Sequence, residues 1–301
     1  MLKALAATLR AQGRALRDPA QRKGLHPLVL PMADAPSGGV LGLLRWPAPN
    51  GGLLVVEAPR DAPHSLLARG TPSHYARRAA VQADASGDAS LAELVAAAAD
   101  LAAEASEPAY EPGAFAASRL KLDQYLLLKV AQGFPDVWEK LARDRLAAGK
   151  ETEALVAGER AASHNPGWGC CMWLQSTMYA ELGRAEERRD SALAALEAPF
   201  WTISAPVAEV QAAAGLEHVP NLKALMRTME AASREKQGEP PPPPAEAALA
   251  EALDLMDEVV RLRGGWDEAR PPVADALRRA GLADAAVVAE GGGGLYPWPV
   301  G

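Results

Sequence analysis

Short apolar runs separated by turn-forming residues dominate residues 25–70. The runs VLGLLRW, GLLVVEA and HSLLARG are divided by segments rich in proline and glycine, and LHPLVLP precedes them. Apolar runs of this length between turn residues are typical of β-strands. The prolines of LHPLVLP restrict a strand there to the edge of a sheet. Residues 25–70 are therefore predicted to form a small antiparallel meander of three or four strands.

The pattern becomes helical over residues 71–236. Thr71 followed by Pro72 is a strong start signal, because threonine caps a helix and proline suits its first turn. Strong helix formers fill residues 90–105, and residues 118–130 continue the helical pattern. The fold class is therefore predicted as α+β, mostly α, with the β-meander preceding a short α-superhelix.

The C-terminal third is divided by five consecutive prolines. They predict a polyproline II linker at residues 237–244. Helices are expected over 245–290, and a flexible tail over 291–301. Tyr296 and Trp298 give that tail two side chains that could dock on a neighbour.

A repeat of 34 residues organises the middle of the chain. Gly149 and Gly183 are 34 residues apart, which is the period of the tetratricopeptide repeat. Residues 135–168 resemble that repeat closely, and residues 169–202 resemble it less, since Met172 replaces the pattern's tryptophan. The resemblance implies two antiparallel helical hairpins. The predicted repeat-core residues are Trp138, Leu141, Ala142, Gly149, Ala154, Ala161, Pro166, Tyr179, Gly183 and Ala195.

The resemblance also implies a protein-binding groove along the first helix of each hairpin. Trp173 is expected to be a contact residue in this groove, whereas Tyr179 is expected in the core. The chaperone-binding branch of the repeat family uses a clamp that contains asparagines, and these are missing here. The predicted groove residues are Asp136, Glu139, Arg143, Leu146, Cys170, Trp173, Thr177 and Ala180.

Cys170 and Cys171 are the only cysteines. A zinc site needs three or four ligands, and only His164 lies close to them in sequence. Redox pairs have CxxC spacing rather than adjacent thiols. The motifs of phosphate loops, dinucleotide folds, zinc proteases and serine hydrolases are absent from the sequence. We therefore predict no catalytic residue, no metal site, no cofactor and no enzymatic activity.

The first 24 residues are basic and amphipathic. They contain six basic residues and one acid, Asp18, whereas the whole chain has a net charge of −7. Such a segment suits an organelle presequence, a helix on a membrane surface, or a helix docked on the protein itself. The acidic chain as a whole makes nucleic acid an improbable partner outside a ribonucleoprotein. No apolar run is long enough to predict a transmembrane segment.

Several stretches are similar to a family of repeat proteins from plants and green algae. They include FPDVWEKL at 134–141, PFWTI at 199–203 and GGWDEARPPVADALRRAGLADAA at 264–286. The resemblance implies an organellar protein, in the chloroplast stroma or at the thylakoid surface ahead of the mitochondrion, with the cytosol left open. The predicted function is that of a scaffold, adaptor or accessory subunit bound to other subunits of a larger complex. The alternative is a peripheral membrane- or RNA-associated factor that uses residues 1–24.

Overall fold

The computed structural model describes residues 2–60, 64–100 and 110–291. Residues 292–301 of the predicted tail lie outside the described residues. The same is true of the end of the helix predicted over 90–105. The mostly helical α+β architecture is confirmed by this structure.

A four-stranded antiparallel sheet forms the N-terminal region, with the strands in sequence order. Its strands are β1 (Val29–Asp34), β2 (Val40–Arg45), β3 (Leu53–Ala58) and β4 (Leu67–Ala68). The strand carrying Pro31 lies at the edge, as the prolines require. This edge is covered by the preceding segment, because the backbone amide of Arg17 donates to the carbonyl of Met32 at 2.9 Å.

The remaining described elements are helical. In chain order they are α1 (Leu2–Ala11), α2 (Pro72–Ala85), α3 (Ala89–Asp100), α4 (Ala114–Ser118), α5 (Leu122–Tyr125), α6 (Pro135–Ala147), α7 (Glu151–His164), α8 (Gly169–Glu181), α9 (Ala185–Glu197), α10 (Val207–Ala213), α11 (Leu222–Gln237), α12 (Pro244–Leu262), α13 (Trp266–Arg279) and α14 (Ala283–Glu290). A π-helical turn at Leu126–Val130 continues α5, and a 3₁₀ turn at Phe200–Thr202 follows α9. Helix α2 begins as predicted, since the Thr71 hydroxyl accepts from the His74 amide at 3.2 Å.

Helix α1 is docked on the sheet. Leu5 and Leu9 are fully buried, and they belong to one cluster with Met32 and Leu43. The helix ends at Ala11 and does not extend through the basic segment 1–24 as predicted. Insertion of this helix into lipid would first require its apolar face to leave the sheet.

In the described part of the chain, no helix combines the length and apolar character that crossing a membrane requires.

A buried carboxylate links the turn after α9 to α12. Asp257 accepts a hydrogen bond from the Phe200 amide at 2.6 Å, and Lys223 lies 3.5 Å from its other oxygen. Burial raises the pKa of Asp257 to about 6, because it outweighs the opposing effects of Lys223 and the Phe200 amide. Burial likewise lowers the pKa of Lys223. The folded protein therefore favours the protonated form of Asp257.

The pH dependence of Asp257 gives the first prediction. Its folded pKa lies above the unfolded value of about 3.9. The stability that it contributes is therefore complete below pH ~4 and is lost as the pH rises through about 6. Relative to the Asp257→Asn variant, the wild type should lose up to ~3 kcal/mol of unfolding free energy across this interval. Urea denaturation at pH 4, 5, 6 and 7 measures the difference, and a constant difference would contradict the assignment.

Candidate partner-binding surface

Two helical hairpins occupy the predicted positions. Helices α6 and α7 pack together, as do α8 and α9. The turns between them contain Gly149 and Gly183, each with φ of +71°. Side chains other than glycine rarely adopt this left-handed conformation, so the glycines end the first helix of each hairpin. The 34-residue spacing thus corresponds to a structural repeat in this chain.

Most of the predicted repeat-core residues in the helices are buried. Trp138, Ala142, Ala154, Ala161 and Ala195 have at most 4% of their surface exposed, and Leu141 is half-buried against the same core. The Trp138 indole donates to the carbonyl of Gln132 at 2.7 Å, and His164 stacks on the ring at a centroid distance of 6.0 Å. Pro166 and the two turn glycines are exposed.

The predicted core position of Tyr179 is corrected by the structure. Its side chain is half-buried, and the Arg184 guanidinium lies 4.8 Å from the centre of its ring. The neighbouring Met178 is fully buried instead. Met178 reaches α7 at Gly158, where an added Cβ would lie only 2.5 Å from the methionine Cε. The inward register of α8 is therefore shifted by one residue from the repeat pattern.

This shifted register predicts different costs for two adjacent truncations. Met178→Ala should lower the free energy of unfolding by about 2–5 kcal/mol, as truncations of buried side chains do. Tyr179→Ala should cost about 1 kcal/mol or less, which is the scale of an exposed cation–π contact. Chemical denaturation of both variants measures this ordering. A larger loss for Tyr179→Ala would restore the original register.

The N-terminal region occupies one end of the predicted groove. Arg69, beside β4, and Arg78, on α2, lie 2.5 and 2.6 Å from Oδ2 of Asp136 on α6. Burial alone would raise the pKa of Asp136, but the hydrogen bonds and charges of Arg78 and Arg69 outweigh it and lower the pKa. Asp136 therefore holds the hairpins to the N-terminal region, and its charge is neutralised within the chain.

Other charged groove residues are also paired internally. Arg143 lies 3.1 Å from Glu139 and 3.5 Å from Glu181, and its Nη2 lies 3.4 Å from the Thr177 hydroxyl. Leu146 is half-buried against the core, whereas Ala180 is exposed. Because its charges balance, this face has little electrostatic preference for a charged partner.

The cysteine pair lies at the start of α8. Cys171 is buried and Cys170 is half-buried. The hydrogen bond with Cys171, followed by burial, raises the pKa of Cys170 well above its ordinary value. The thiol is therefore protonated at neutral pH and is a weak nucleophile. Within residues 2–60, 64–100 and 110–291, no group of three or more His, Cys, Asp or Glu side chains could hold a metal. Trp173, one turn away, is half-buried against the cluster around α9 and α10.

The segment NPGWG, residues 165–169, joins the hairpins to the rest of the fold. The Asn165 side chain donates to the carbonyl of Ala161 at 2.8 Å and ends α7. Gly167 has φ of +81°, and a Cβ there would lie 3.2 Å from the Trp46 ring. The Gly169 amide donates to the Thr202 hydroxyl at 3.0 Å. Each residue thus has a specific structural function in the connection.

Aromatic rings from distant parts of the chain meet behind this segment. We define the aromatic junction as His26, Trp46, Trp168, Trp201 and Trp266. The Trp201 ring centroid lies 4.7 Å from His26 and 5.3 Å from Trp46. Burial, with a smaller contribution from Arg270 and then Arg22, lowers the pKa of His26 well below its ordinary value. His26 is therefore neutral, and the junction is an uncharged core that connects the sheet, the hairpins and the C-terminal helices.

A cavity of about 730 Å³ opens in front of the junction. We call it the junction cavity. Trp46 and Trp168 form its floor, and the loop between β2 and β3 forms one wall. Thr71 and His74 line it from α2, while His164 and Asn165 line it from the end of α7. Sequence reasoning identified NPGWG as a connection but not as a cavity wall. The only available signal was the coincidence of tryptophan and glycine at 46–52 and 165–169.

Comparison with known proteins places these features in a family. The profile of the PAB N-terminal domain matches residues 1–129, and that of the PAB middle domain matches residues 135–220. The protein "IN CHLOROPLAST ATPASE BIOGENESIS, chloroplastic" of Arabidopsis thaliana is 33% identical over 279 residues, which are 91% of this chain and 81% of the relative. No solved structure shows significant similarity. The relative supports the predicted plant organellar family and its location in the chloroplast. The hairpins fall within the PAB middle domain, so the chain belongs to the PAB family of this chloroplast protein.

Proposed function

We propose that this chain takes part in the biogenesis of a chloroplast ATPase as a non-catalytic, protein-binding factor. The similarity to the Arabidopsis protein carries the proposal, because it extends over 91% of this chain. A relationship of this extent includes the sheet, the hairpins and the C-terminal helices together. The proposed partners are therefore proteins of the ATPase during its assembly.

The architecture supports a binding function. Helical hairpins present extended surfaces that are suited to protein partners. The thiols of the described region are protonated and its groove charges are paired, which favours contact over chemistry. We therefore place the partner contacts on the first-helix face of the hairpins and on the junction cavity beside it.

The membrane or RNA alternative receives less support. Its central element was an amphipathic helix with a free apolar face. In the structure, Leu5 and Leu9 of that helix are fully buried against the sheet. The exposed basic residues that remain on the segment supply only a salt-sensitive attraction.

Co-purification tests the proposal. A tagged form of the full chain, expressed in chloroplasts, should carry ATPase subunits through a high-salt wash and migrate with them on native gels. Mass spectrometry of the co-migrating band identifies the subunits. Recovery of the chain without any ATPase subunit, while ATPase assembly is in progress, would contradict the proposed function.

A further inference from the structure

The junction cavity has an uncharged lining. Among the described residues, its walls contain no Asp, Glu, Lys or Arg side chain, although such residues make up 23% of the chain. Protein interfaces show the same depletion of charge at their centres, where water is excluded. A charged ligand would lose its hydration here without gaining a partner of opposite charge. The lining therefore favours an uncharged occupant.

Asn165 adds a specific polar feature to this lining. Its residue surface is only 7% exposed, and its Nδ2 is held by the carbonyl of Ala161 at 2.8 Å. That bond fixes the orientation of the amide. Within the described part of the chain, Oδ1 accepts no hydrogen bond, although an amide oxygen has two acceptor positions. A buried acceptor of this kind favours a ligand that brings an N–H group.

The floor of the cavity suits flat or rigid side chains. The rings of Trp46 and Trp168 lie 5.8 Å apart at an angle of 37°. Aromatic surfaces of this kind bind proline and aromatic side chains through extended face contact. The volume of about 730 Å³ also lies within the range of well-formed binding sites.

We propose that the junction cavity binds an uncharged peptide segment of a partner protein. An aromatic or proline side chain of the segment packs on Trp46 and Trp168, and an N–H of the segment donates to Oδ1 of Asn165. The inference rests on the proposed function, since it takes the partner from the ATPase proteins that are being assembled. It adds the position of the contact and the chemistry of the segment.

The test uses labelled peptides of about 12 residues that tile the subunits of the Arabidopsis chloroplast ATPase. Their binding to the full chain is measured by fluorescence polarisation. Asn50 lies at the exposed mouth of the cavity and its side chain can be changed without disturbing the core. Asn50→Asp and Asn50→Lys place charges of opposite sign there. Gln21→Glu and Gln21→Lys are matched controls at an exposed turn that does not line the cavity.

The expected result is binding of one or a few peptides that contain an uncharged stretch with an aromatic or proline residue. Both Asn50 variants should weaken this binding by about threefold or more, because a charge of either sign must be desolvated beside the peptide. Both Gln21 variants should bind like the wild type. Weakening by one sign and strengthening by the other would show a charged occupant and overturn the proposal.

Failure of this inference can be distinguished from failure of the proposed function. If the tagged chain co-purifies with ATPase subunits but no peptide binds, or if the Asn50 variants bind like the controls, the cavity assignment alone is wrong. If neither subunits nor peptides bind, the proposed function is wrong as well.

Discussion

Replacing Trp201 with alanine is expected to lower the free energy of unfolding by about 3–5 kcal/mol. The side chain is fully buried, and its ring contacts His26, Trp46 and Trp168, which come from three separate parts of the chain. Removal of the ring leaves a cavity that these neighbours cannot fill without moving apart. The loss should therefore extend to the packing of the sheet against the hairpins.

Trp201→Phe is the matched control for this variant. The Trp201 indole nitrogen is buried and has no hydrogen-bond partner in the described part of the chain. Phenylalanine therefore loses ring volume but no hydrogen bond, and it should cost clearly less than alanine. Urea denaturation followed by far-ultraviolet circular dichroism measures both variants. Equal costs, or a cost near 1 kcal/mol for alanine, would show that the junction is not a principal core.

Replacing Asp136 with asparagine is the second large effect, with an expected loss of about 3 kcal/mol. The variant leaves the charges of Arg69 and Arg78 without their shared carboxylate in a partly buried setting. Glu57, at 2.7 Å, still pairs with Arg69, whereas Arg78 keeps only its contact with the ring of Phe134. The N-terminal region should therefore separate more easily from α6.

The pH dependence of this effect has a definite sign. The folded pKa of Asp136 is lowered, mainly by Arg78 and Arg69 against the effect of burial. Its contribution is thus complete above the unfolded pKa of about 3.9 and is lost as the pH falls through the lower folded value. Urea denaturation should show the full difference from wild type at pH 6 and a smaller one below pH 4.

Asp144→Asn supplies the control on the same helix. Asp144 pairs with Lys140 at 2.5 Å, but its side chain is 59% exposed. An exposed pair of this kind contributes at most about 1 kcal/mol. A loss at Asp144 as large as that at Asp136 would contradict the distinction between the buried and the exposed pair.

The elements that were predicted correctly have local sequence signals. The strands of residues 25–70 follow from short apolar runs between turn residues, and α2 follows from Thr71 and Pro72. The two hairpins follow from glycines at a fixed spacing, because each turn requires a positive φ. These signals act within a few residues of the structure that they specify.

The features that were missed depend on contacts between distant residues. The groove prediction treated Asp136 as free because its partners, Arg69 and Arg78, precede it by 67 and 58 residues. The junction cavity requires the loop after Trp46 to meet the end of α7. The position of Tyr179 was wrong for a related reason, since the space that Gly158 leaves on α7 admits Met178 instead. Periodicity along one helix contains no record of these neighbours.

Replacement of the Arabidopsis relative by this chain tests the central claim most directly. Plants that lack the relative would express this chain, targeted to the chloroplast, and the amount of assembled ATPase would be measured on native gels. The account predicts that the wild-type chain restores the assembled complex. It also predicts weaker restoration by Asn50→Asp and Asn50→Lys than by the Gln21 variants at equal protein levels. A stable chain that accumulates in the chloroplast and leaves the ATPase level unchanged would contradict the proposed function.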